Sequence, residues 1–255
     1  MKKKNTQQKK VELFFDKISS KYQQKYDKSN IFLSYFFNQR ITEATKFLEL
    51  ENKSILDIGA GTGALYHFLK KDLTSFEYFA TDISANMLAH SGIPEEKKFI
   101  GKVDDFPLEN KNYDYIFLLG VTTYFSEADL EKHLILIQQY MKKDSLAILS
   151  FTNKKSLDFL FRGVFQRLAF FFNTKRNVIG QDFDIHAYSL KEVSQLTSSS
   201  FGIQKITFLN QTIPPFSRLF PRTSIKVGNF LTERFSSSKL LSIFSSDFLI
   251  FLKKK

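Results

Sequence analysis

The feature that most constrains the fold is a strand–turn–helix pattern near residue 60. Ile55–Ile58 is a short apolar run that leads directly into the turn Gly59-Ala60-Gly61-Thr62-Gly63. Apolar residues at helical spacing follow over residues 64–69. A glycine turn lets the backbone approach a ligand closely, and the start of the next helix adds oriented N–H groups. The pattern therefore predicts a ligand-binding turn at the end of a buried strand.

The remainder of the chain predicts an α/β fold around this unit. Further strands are predicted at residues 76–81, 98–102, 113–119, 145–151, 201–209 and 247–252. Helices are predicted within residues 11–50 and at residues 64–69, 84–89, 127–141, 157–172 and from 189 onward. Ser84 is a predicted helix cap, and Ser189 with Glu192 predicts a capping box. The first five strands alternate with helices, which indicates a parallel sheet that binds ligands beyond the carboxyl ends of its strands.

Composition excludes several classes of protein. The chain has no cysteine, so it forms no disulfide, no thiolate zinc site and no cysteine nucleophile. The net charge of +11 is unevenly distributed. Residues 1–10 carry five lysines and residues 253–255 carry three, while residues 154–176 have a net charge of +5 and residues 211–245 one of +4. The remaining scaffold is acidic, which disfavours nucleic acid as a partner.

Two acidic residues narrow the ligand class. Asp82 ends the second predicted strand, where a carboxylate accepts hydrogen bonds from ribose hydroxyls. A dinucleotide-binding dehydrogenase shares that feature, but its glycine spacing is G-x-G-x-x-G, whereas Gly59, Gly61 and Gly63 alternate here. Asp57 stands two residues before the turn, where a carboxylate repels a pyrophosphate and attracts an aminoacyl cation.

With these residues in view, Ile55–Gly63 resembles the first motif of class I S-adenosylmethionine-dependent methyltransferases. Residues 82–88 resemble their second motif, and residues 105–108 and 113–116 resemble the third and fourth. The resemblance covers residues 40–152 and is most specific over 54–120. It implies the Rossmann-like, seven-stranded class I sheet with its last strand antiparallel, and S-adenosyl-L-methionine as cofactor.

The resemblance also implies a domain organisation. Residues 186–190 and the two final strands are similar to the tail of small-molecule, quinone-type members. We expect a basic tail and N-terminal lid helices over residues 1–50, followed by a methyltransferase domain over 51–255. Helical cap inserts are expected at about 154–180 and 211–245. The basic segment 1–10 is expected to be peripheral to cofactor binding.

The family's cofactor roles carry over residue by residue. The resemblance assigns the methionine part of the cofactor to the glycine turn, Gly59, Ala60, Gly61 and Gly63. Asp57 faces the cofactor amino group through water or loop backbone, and Asp82 holds the ribose hydroxyls. Leu119 and Gly120 line the sulfonium side. Arg40 is placed like an arginine that pairs with the cofactor carboxylate in quinone-type members, and a solvated helix arginine is the alternative.

The adenine end departs from the family pattern. Ile83 and Met87 are expected to pack on the adenine. Members often carry Asp or Asn and then a small residue after the third strand, but Lys102 and Val103 stand there. Lysine accepts no hydrogen bond from the adenine amino group. The prediction for this loop therefore covers Val103, Asp104, Asp105 and Phe106, with either aspartate or the backbone as the acceptor.

Methyl transfer requires placement of the nucleophile, and a base only if the acceptor's own pKa demands one. His186, close to Tyr188 beside the expected substrate mouth, is the candidate catalytic residue or substrate ligand. His67 and His133 are expected to be surface or packing residues of core helices. No His/Asp/Glu spacing indicates a metal site.

The two inserts bear on the acceptor, because each interleaves aromatic and basic side chains. Six phenylalanines at 159, 161, 165, 170, 171 and 172 accompany Arg162 and Arg167. Phenylalanines at 216, 220, 230 and 235 accompany basic residues at 218, 222, 226 and 234. Such segments suit a lipid-like substrate or a membrane interface. The alternative is an ordinary capping subdomain in a chain rich in Phe and Lys.

These observations predict a methyltransferase acting on a small or lipid-like molecule, with O-methylation favoured. A non-catalytic cofactor-binding subunit is one alternative. A nucleic-acid methyltransferase is another, disfavoured because residues 118–122 lack the proline-containing motif that binds a base amino group. No apolar signal segment follows the basic start, so a cytoplasmic protein is expected, with peripheral membrane contact as the variant of that expectation.

Overall fold

The computed structural model describes residues 2–22, 31–107, 112–161, 183–212 and 216–255. Its centre is a seven-stranded sheet in the order β3-β2-β1-β4-β5-β7-β6. The strands are β1 (Ser54–Ile58), β2 (Glu77–Asp82), β3 (Lys98–Ile100), β4 (Tyr113–Leu118), β5 (Met141–Thr152), β6 (Phe201–Gln211) and β7 (Ser245–Lys254). The strands β1 to β5 are parallel, and β7 runs antiparallel between β5 and β6. The predicted class I sheet is confirmed.

Helices cover both faces of this sheet. They are α1 (Lys2–Tyr22), α2 (Ile31–Thr45), α3 (Ala64–Asp72), α4 (Ala85–Ala89), α5 (Glu127–Tyr140), α6 (Leu190–Thr197), α7 (Phe216–Leu219) and α8 (Pro221–Phe235). Alternation along β1 shows the two layers, because Ile55 packs with α2 and α3 while Leu56 and Ile58 pack with α5 and α6. The described helices include none that is long and apolar enough to cross a membrane.

Local sequence signals set several of the helix starts. The Ser84 hydroxyl accepts a hydrogen bond from the Met87 N–H at the start of α4, as predicted. Ser189 and Glu192 form the predicted capping box of α6, in which each side chain accepts from the other's backbone. Ser126 caps α5 in the same way, with its hydroxyl accepting from the Asp129 N–H.

The structure differs from the sequence predictions in three places. β5 begins at Met141, because that residue leaves the helical stripe of α5 and pairs with Tyr113 of β4. Residues 2–10 form the first turns of α1 and are not a separate tail. The predicted helix 157–172 is helical at residues 157–161, and the rest of the 154–180 insert lies outside the described residues. The 211–245 insert contains α7 and α8.

Candidate active site

A cavity lies at the carboxyl ends of β1, β2 and β4, where α1 and α2 cover it. The predicted cofactor residues that line it are Arg40, Asp57, Gly59, Ala60, Gly61, Asp82, Ile83, Met87, Val103, Leu119 and Gly120. Five predicted site residues do not line it, namely Gly63, Asp104, Asp105, Phe106 and His186. The structure therefore brings together residues separated by up to 80 positions in the chain, as a sheet edge with parallel strands requires.

The glycine turn has the geometry that its composition predicts. Gly59 and Gly63 have φ values of 75° and 72°, in the left-handed region that favours glycine. A Cβ built at Gly59 would lie 2.3 Å from a methyl group of Val121, and one at Gly63 would lie 2.6 Å from the Ser91 carbonyl oxygen. Gly63 shapes the turn as the N-cap of α3 and stays behind the cavity wall.

Asp57 is a buried carboxylate at the floor of the cavity. Its Oδ2 accepts a hydrogen bond of 2.6 Å from the Tyr78 hydroxyl. Burial raises the pKa of Asp57 to about 7, and the Tyr78 hydrogen bond opposes that shift. The group is therefore poised to ionise when a cation enters the cavity.

Asp82 organises the turn and faces the cavity at the same time. Its Oδ2 accepts from the Gly61 N–H at 2.8 Å, and its Oδ1 accepts from the Ser84 N–H at 2.9 Å. Burial raises the pKa of Asp82 to about 6, although both backbone hydrogen bonds favour the ionised form. Asp16 of α1 adds to the rise through its negative charge.

Arg40 is not a solvated helix residue. Its Nη2 donates to Asp247 Oδ2 at 2.8 Å, and its side chain is only 12% exposed. The guanidinium also lies against Gly120, because a Cβ built at Gly120 would be 2.6 Å from Arg40 Nη1. The pair joins α2 to β7 and places a cation in the cavity wall.

At the third-strand loop, the structure separates the predicted residues. Val103 lines the cavity, but Asp104 is ion-paired with Lys132 of α5 and Asp105 is exposed. Phe106 packs in the core between Phe99 and Tyr140. The aspartates therefore do not meet the cavity, because the short 3₁₀ turn Val103–Asp105 directs them away from it.

Residues 56–146 match the family model of a methyltransferase domain. No curated protein matches the chain in sequence. The fold is similar to a methyltransferase from Thermotoga maritima, with a TM-score of 0.62, 13% identity and coverage of 96% of this chain and 99% of that one. A magnesium protoporphyrin IX methyltransferase from Synechocystis has a TM-score of 0.61, 11% identity and coverage of 95% and 98%. A methyltransferase from Clostridium acetobutylicum has a TM-score of 0.55, 13% identity and coverage of 92% and 98%.

Residues 56–146 are a methyltransferase domain, and the fold is that of the class I S-adenosylmethionine-dependent methyltransferases. Its cofactor is S-adenosyl-L-methionine. The cavity fits that cofactor by its donor set, because carboxylates, a guanidinium and apolar side chains occur together. The observed cavity lining of the methyltransferase differs from the predicted one mainly in the additional residues that complete the cavity.

His133 is one of the cavity residues that sequence reasoning missed. It lies on the buried face of α5 with Leu130, Leu134 and Ile137, and its ring stacks on Phe125 at 4.0 Å between centroids. Its Nδ1 donates to the Asp129 carbonyl at 2.6 Å, and burial lowers its pKa. The ring is thus neutral at neutral pH, and Nε2 is an acceptor. The sequence signal was a histidine on the apolar stripe of α5, but the same signal is equally typical of a histidine that only packs in the core.

The α1 helix supplies further lining that the sequence did not predict, with Gln8, Val11, Phe15 and Tyr22 facing the cavity. It is fastened at two points. Asp16 accepts from the Ser84 hydroxyl at 2.5 Å, and Gln7 exchanges two hydrogen bonds with the Asp184 backbone, at 2.9 and 3.1 Å. Between them Phe15 packs edge-on against Tyr124 at 5.4 Å. These contacts hold α1 over the cavity.

His186 takes part through its backbone. Its N–H donates to the Thr123 carbonyl at 2.8 Å, and its carbonyl accepts from the Thr123 hydroxyl at 3.1 Å. These bonds hold the loop after β4 to the segment before α6. The imidazole does not line the cavity, so the geometry gives no support to His186 as a base.

Proposed function

We propose that this methyltransferase methylates an ionisable oxygen on a small, lipophilic acceptor. The observation that carries the proposal is the chemistry of the covered end of the cavity. Its lining there is apolar or aromatic, with Val11, Phe15, Phe37 and two tyrosines, Tyr22 and Tyr124. Such a surface favours a planar or lipophilic acceptor with few polar groups.

The remaining lining serves the cofactor. S-adenosylmethionine supplies an electrophilic methyl group on a sulfonium sulfur. Asp82 accepts from the ribose hydroxyls while it holds Gly61, and Asp57 balances the cofactor amino group through water or loop backbone. Arg40 pairs with the cofactor carboxylate, since a guanidinium has five N–H donors and serves Asp247 at the same time.

At the adenine end, Met87 and Val103 pack on the ring faces. His133 takes the role that Asp104 and Asp105 leave open. Its Nε2 is an acceptor because Nδ1 donates to Asp129, and the adenine 6-amino group is a donor. Stacking on Phe125 fixes the plane of the imidazole.

The acceptor oxygen needs no protein base if it ionises by itself. A carboxylic acid has already lost its proton to solvent at neutral pH, and its carboxylate oxygen is the nucleophile. Burial raises the pKa of Tyr22 and of Tyr124, so both hydroxyls stay protonated and donate to that anion. An amine acceptor would enter as a cation, and both lining carboxylates are committed to the cofactor.

A small-molecule acceptor has support from the fold comparison as well, because one similar structure is a magnesium protoporphyrin IX methyltransferase. That likeness concerns the fold and is a basis for choosing test compounds.

The test is methyl transfer to a panel of lipophilic acceptors that pairs each acid with an amine of similar size, for example alkanoic acids with alkylamines of the same chain length. We expect formation of S-adenosylhomocysteine and a gain of one methyl mass on the acids. Tyr124→Phe should lower kcat on acids, and Tyr115→Phe, remote from the cavity, is the control. Turnover confined to amines or to RNA contradicts the proposal, and absence of any turnover favours a non-catalytic subunit.

A further inference from the structure

The exposed apolar side chains of the methyltransferase are concentrated in one segment. Eighteen large apolar side chains are exposed in the described part of the chain, and eight of them fall within residues 216–243. Four are more than half exposed on or beside α7 and α8, namely Phe216, Leu219, Phe220 and Phe230. A concentration of this kind marks an interaction surface, whereas scattered exposed apolar residues need no explanation.

Basic side chains accompany this apolar face. Arg222, Lys226, Arg234 and Lys239 are exposed there, and Glu233 is the one exposed acid of the same segment. The guanidinium of Arg234 lies over the Phe230 ring, 5.9 Å from its centroid. Gly228 and Thr232 form the buried side of α8, so Lys226 and Phe230 point outward together. An outward face of aromatic and cationic residues is typical of a helix that lies in a membrane interface.

The position of this face connects it to the cavity. The α7 helix begins five residues after β6, and α8 packs against Gln211 at the end of that strand, where a Cβ built at Gly228 would be 3.3 Å from the Gln211 carbonyl. The same helix contacts α2 through the hydrogen bond of Gln39 with Thr232, at 3.1 Å. The carboxyl edge of β6 is level with that of β5, because β7 pairs with both. The face is therefore at the cavity's edge of the sheet.

We propose that α7, α8 and residues 236–243, hereafter the docking face, bind the surface of an anionic lipid bilayer. The four cations complement the negative headgroups, and the phenylalanines and Leu219 enter the region between headgroups and acyl chains. The protein then lies on the membrane with the sheet edge toward it. The proposal goes beyond the proposed function, since it states where a lipophilic acceptor is collected.

The test is flotation of the full chain with vesicles of phosphatidylcholine alone, or of phosphatidylcholine with about one third phosphatidylserine, the anionic lipid of cytoplasmic leaflets. We expect recovery with the anionic vesicles that falls as salt rises, since charge attraction is screened. The double variant R222Q/K226Q should partition about thirtyfold more weakly, because each basic residue near such a surface contributes about one kcal/mol. The double variant F220S/F230S should lose at least about tenfold.

Matched controls carry equally exposed substitutions elsewhere. F47S/I135S removes two apolar side chains that are more than half exposed, and K71Q/K191Q removes two exposed charges. Both controls should float like the unmodified protein. Calorimetric binding of S-adenosylhomocysteine should be the same for all four variants, which separates loss of docking from misfolding.

Three results would overturn the proposal. One is equal recovery with neutral and anionic vesicles. Another is unchanged flotation of R222Q/K226Q and F220S/F230S. The third is a dimer in solution that F220S/F230S disperses while vesicle recovery stays the same, because the face would then bind a second copy of the chain. Methyl transfer to a soluble acceptor is measured separately, so failure of docking and failure of the proposed reaction give different outcomes.

Discussion

The floor and the cover of the cavity are held together by different means. The floor consists of Asp57 and residues 59–63, 82–88 and 119–121, and backbone N–H groups there bond directly to Asp82. The cover consists of α1 and α2, and it is held by side chains that meet across long stretches of chain: Asp16 with Ser84, Gln7 with Asp184, and Arg40 with Asp247. Close local geometry in the floor suits a fixed cofactor, while a cover fastened at a few points suits an acceptor that must enter.

The largest effect on stability should come from Gly63→Ala, which strains the backbone of the floor. The new Cβ would meet the Ser91 carbonyl oxygen at 2.6 Å, and the left-handed φ adds strain. We expect a loss of about 3 kcal/mol or more in the free energy of unfolding. Urea denaturation measures it, and Gly202→Ala, whose nearest contact is at 3.8 Å, should change little. Equal free energies of unfolding for the two variants would contradict the prediction that Gly63→Ala strains the backbone.

Asp82→Asn tests the floor's chemistry with the side-chain size kept, and its amide leaves one of the Gly61 and Ser84 N–H groups without its acceptor. The change removes the charge-assisted acceptor for the ribose and should weaken cofactor binding by about 2 kcal/mol. Asp105→Asn alters an exposed carboxylate that does not line the cavity, and it should leave calorimetric affinity unchanged. A loss with Asp105→Asn and none with Asp82→Asn would reverse the assignment.

The raised pKa of Asp57, about 7, predicts a pH dependence of the floor. Below pH 7 the cofactor amino group must displace a proton from Asp57, so affinity should rise up to about tenfold per pH unit between pH 5.5 and 7 and then level off. The folded carboxyl also binds its proton more tightly than the unfolded one. The free energy of unfolding should therefore fall as pH rises from about 4 to 7. Asp57→Asn should remove the part of both slopes between about pH 6 and 7 in calorimetry and in urea melts, while Asp82, whose pKa is raised to about 6, keeps its contribution at lower pH.

Substitution of His133 tests whether the adenine contact belongs with the floor. The unmodified protein should bind S-adenosylhomocysteine more tightly than its inosine analogue, in which an oxo group replaces the amino donor. His133→Leu should reduce that difference by about 1 kcal/mol, the usual value of one hydrogen bond. His90→Leu, at an exposed position after α4, should preserve it. An unchanged preference in His133→Leu would return the acceptor role to the backbone.

The smallest effect is expected in the cover. Gln8 lines the cavity and Gln7 bonds to Asp184, so Gln7→Ala/Gln8→Ala should weaken cofactor binding by about 0.5 kcal/mol. Lys9 is exposed on the same helix, and Lys9→Ala should have no effect. Removal of residues 1–10 takes away both glutamines and should cost at least as much affinity. No loss in calorimetry would contradict this expectation and show that the segment is peripheral, as the sequence alone predicts.

The sequence allowed prediction of the floor because its determinants are local. The glycine turn, Asp57 and Asp82 each belong to a short segment whose conformation follows from strand, turn and helix signals. The cover could not be predicted because its contacts join distant parts of the chain. No pattern in the sequence around Arg40 predicts its ion pair with Asp247. His133 can be told from an ordinary core residue only in the structure, where the loop after β4 stacks Phe125 on its ring and the ring lines the cavity. The outward direction of Asp104 and Asp105 likewise could not be predicted, because it follows from the 3₁₀ turn that the structure shows there.

The position of β7 has a consequence for the order of assembly during synthesis. The ribosome makes β7 after β6, yet β7 lies between β5 and β6 in the sheet. The β6 strand therefore has no strand to pair with while it emerges. The α8 helix packs on β6, so it also cannot join the sheet until β7 has been made. Asp247 reaches Arg40 at the same late moment. A nascent chain can thus complete the cofactor floor early, but it becomes a closed methyltransferase only when β7 is inserted.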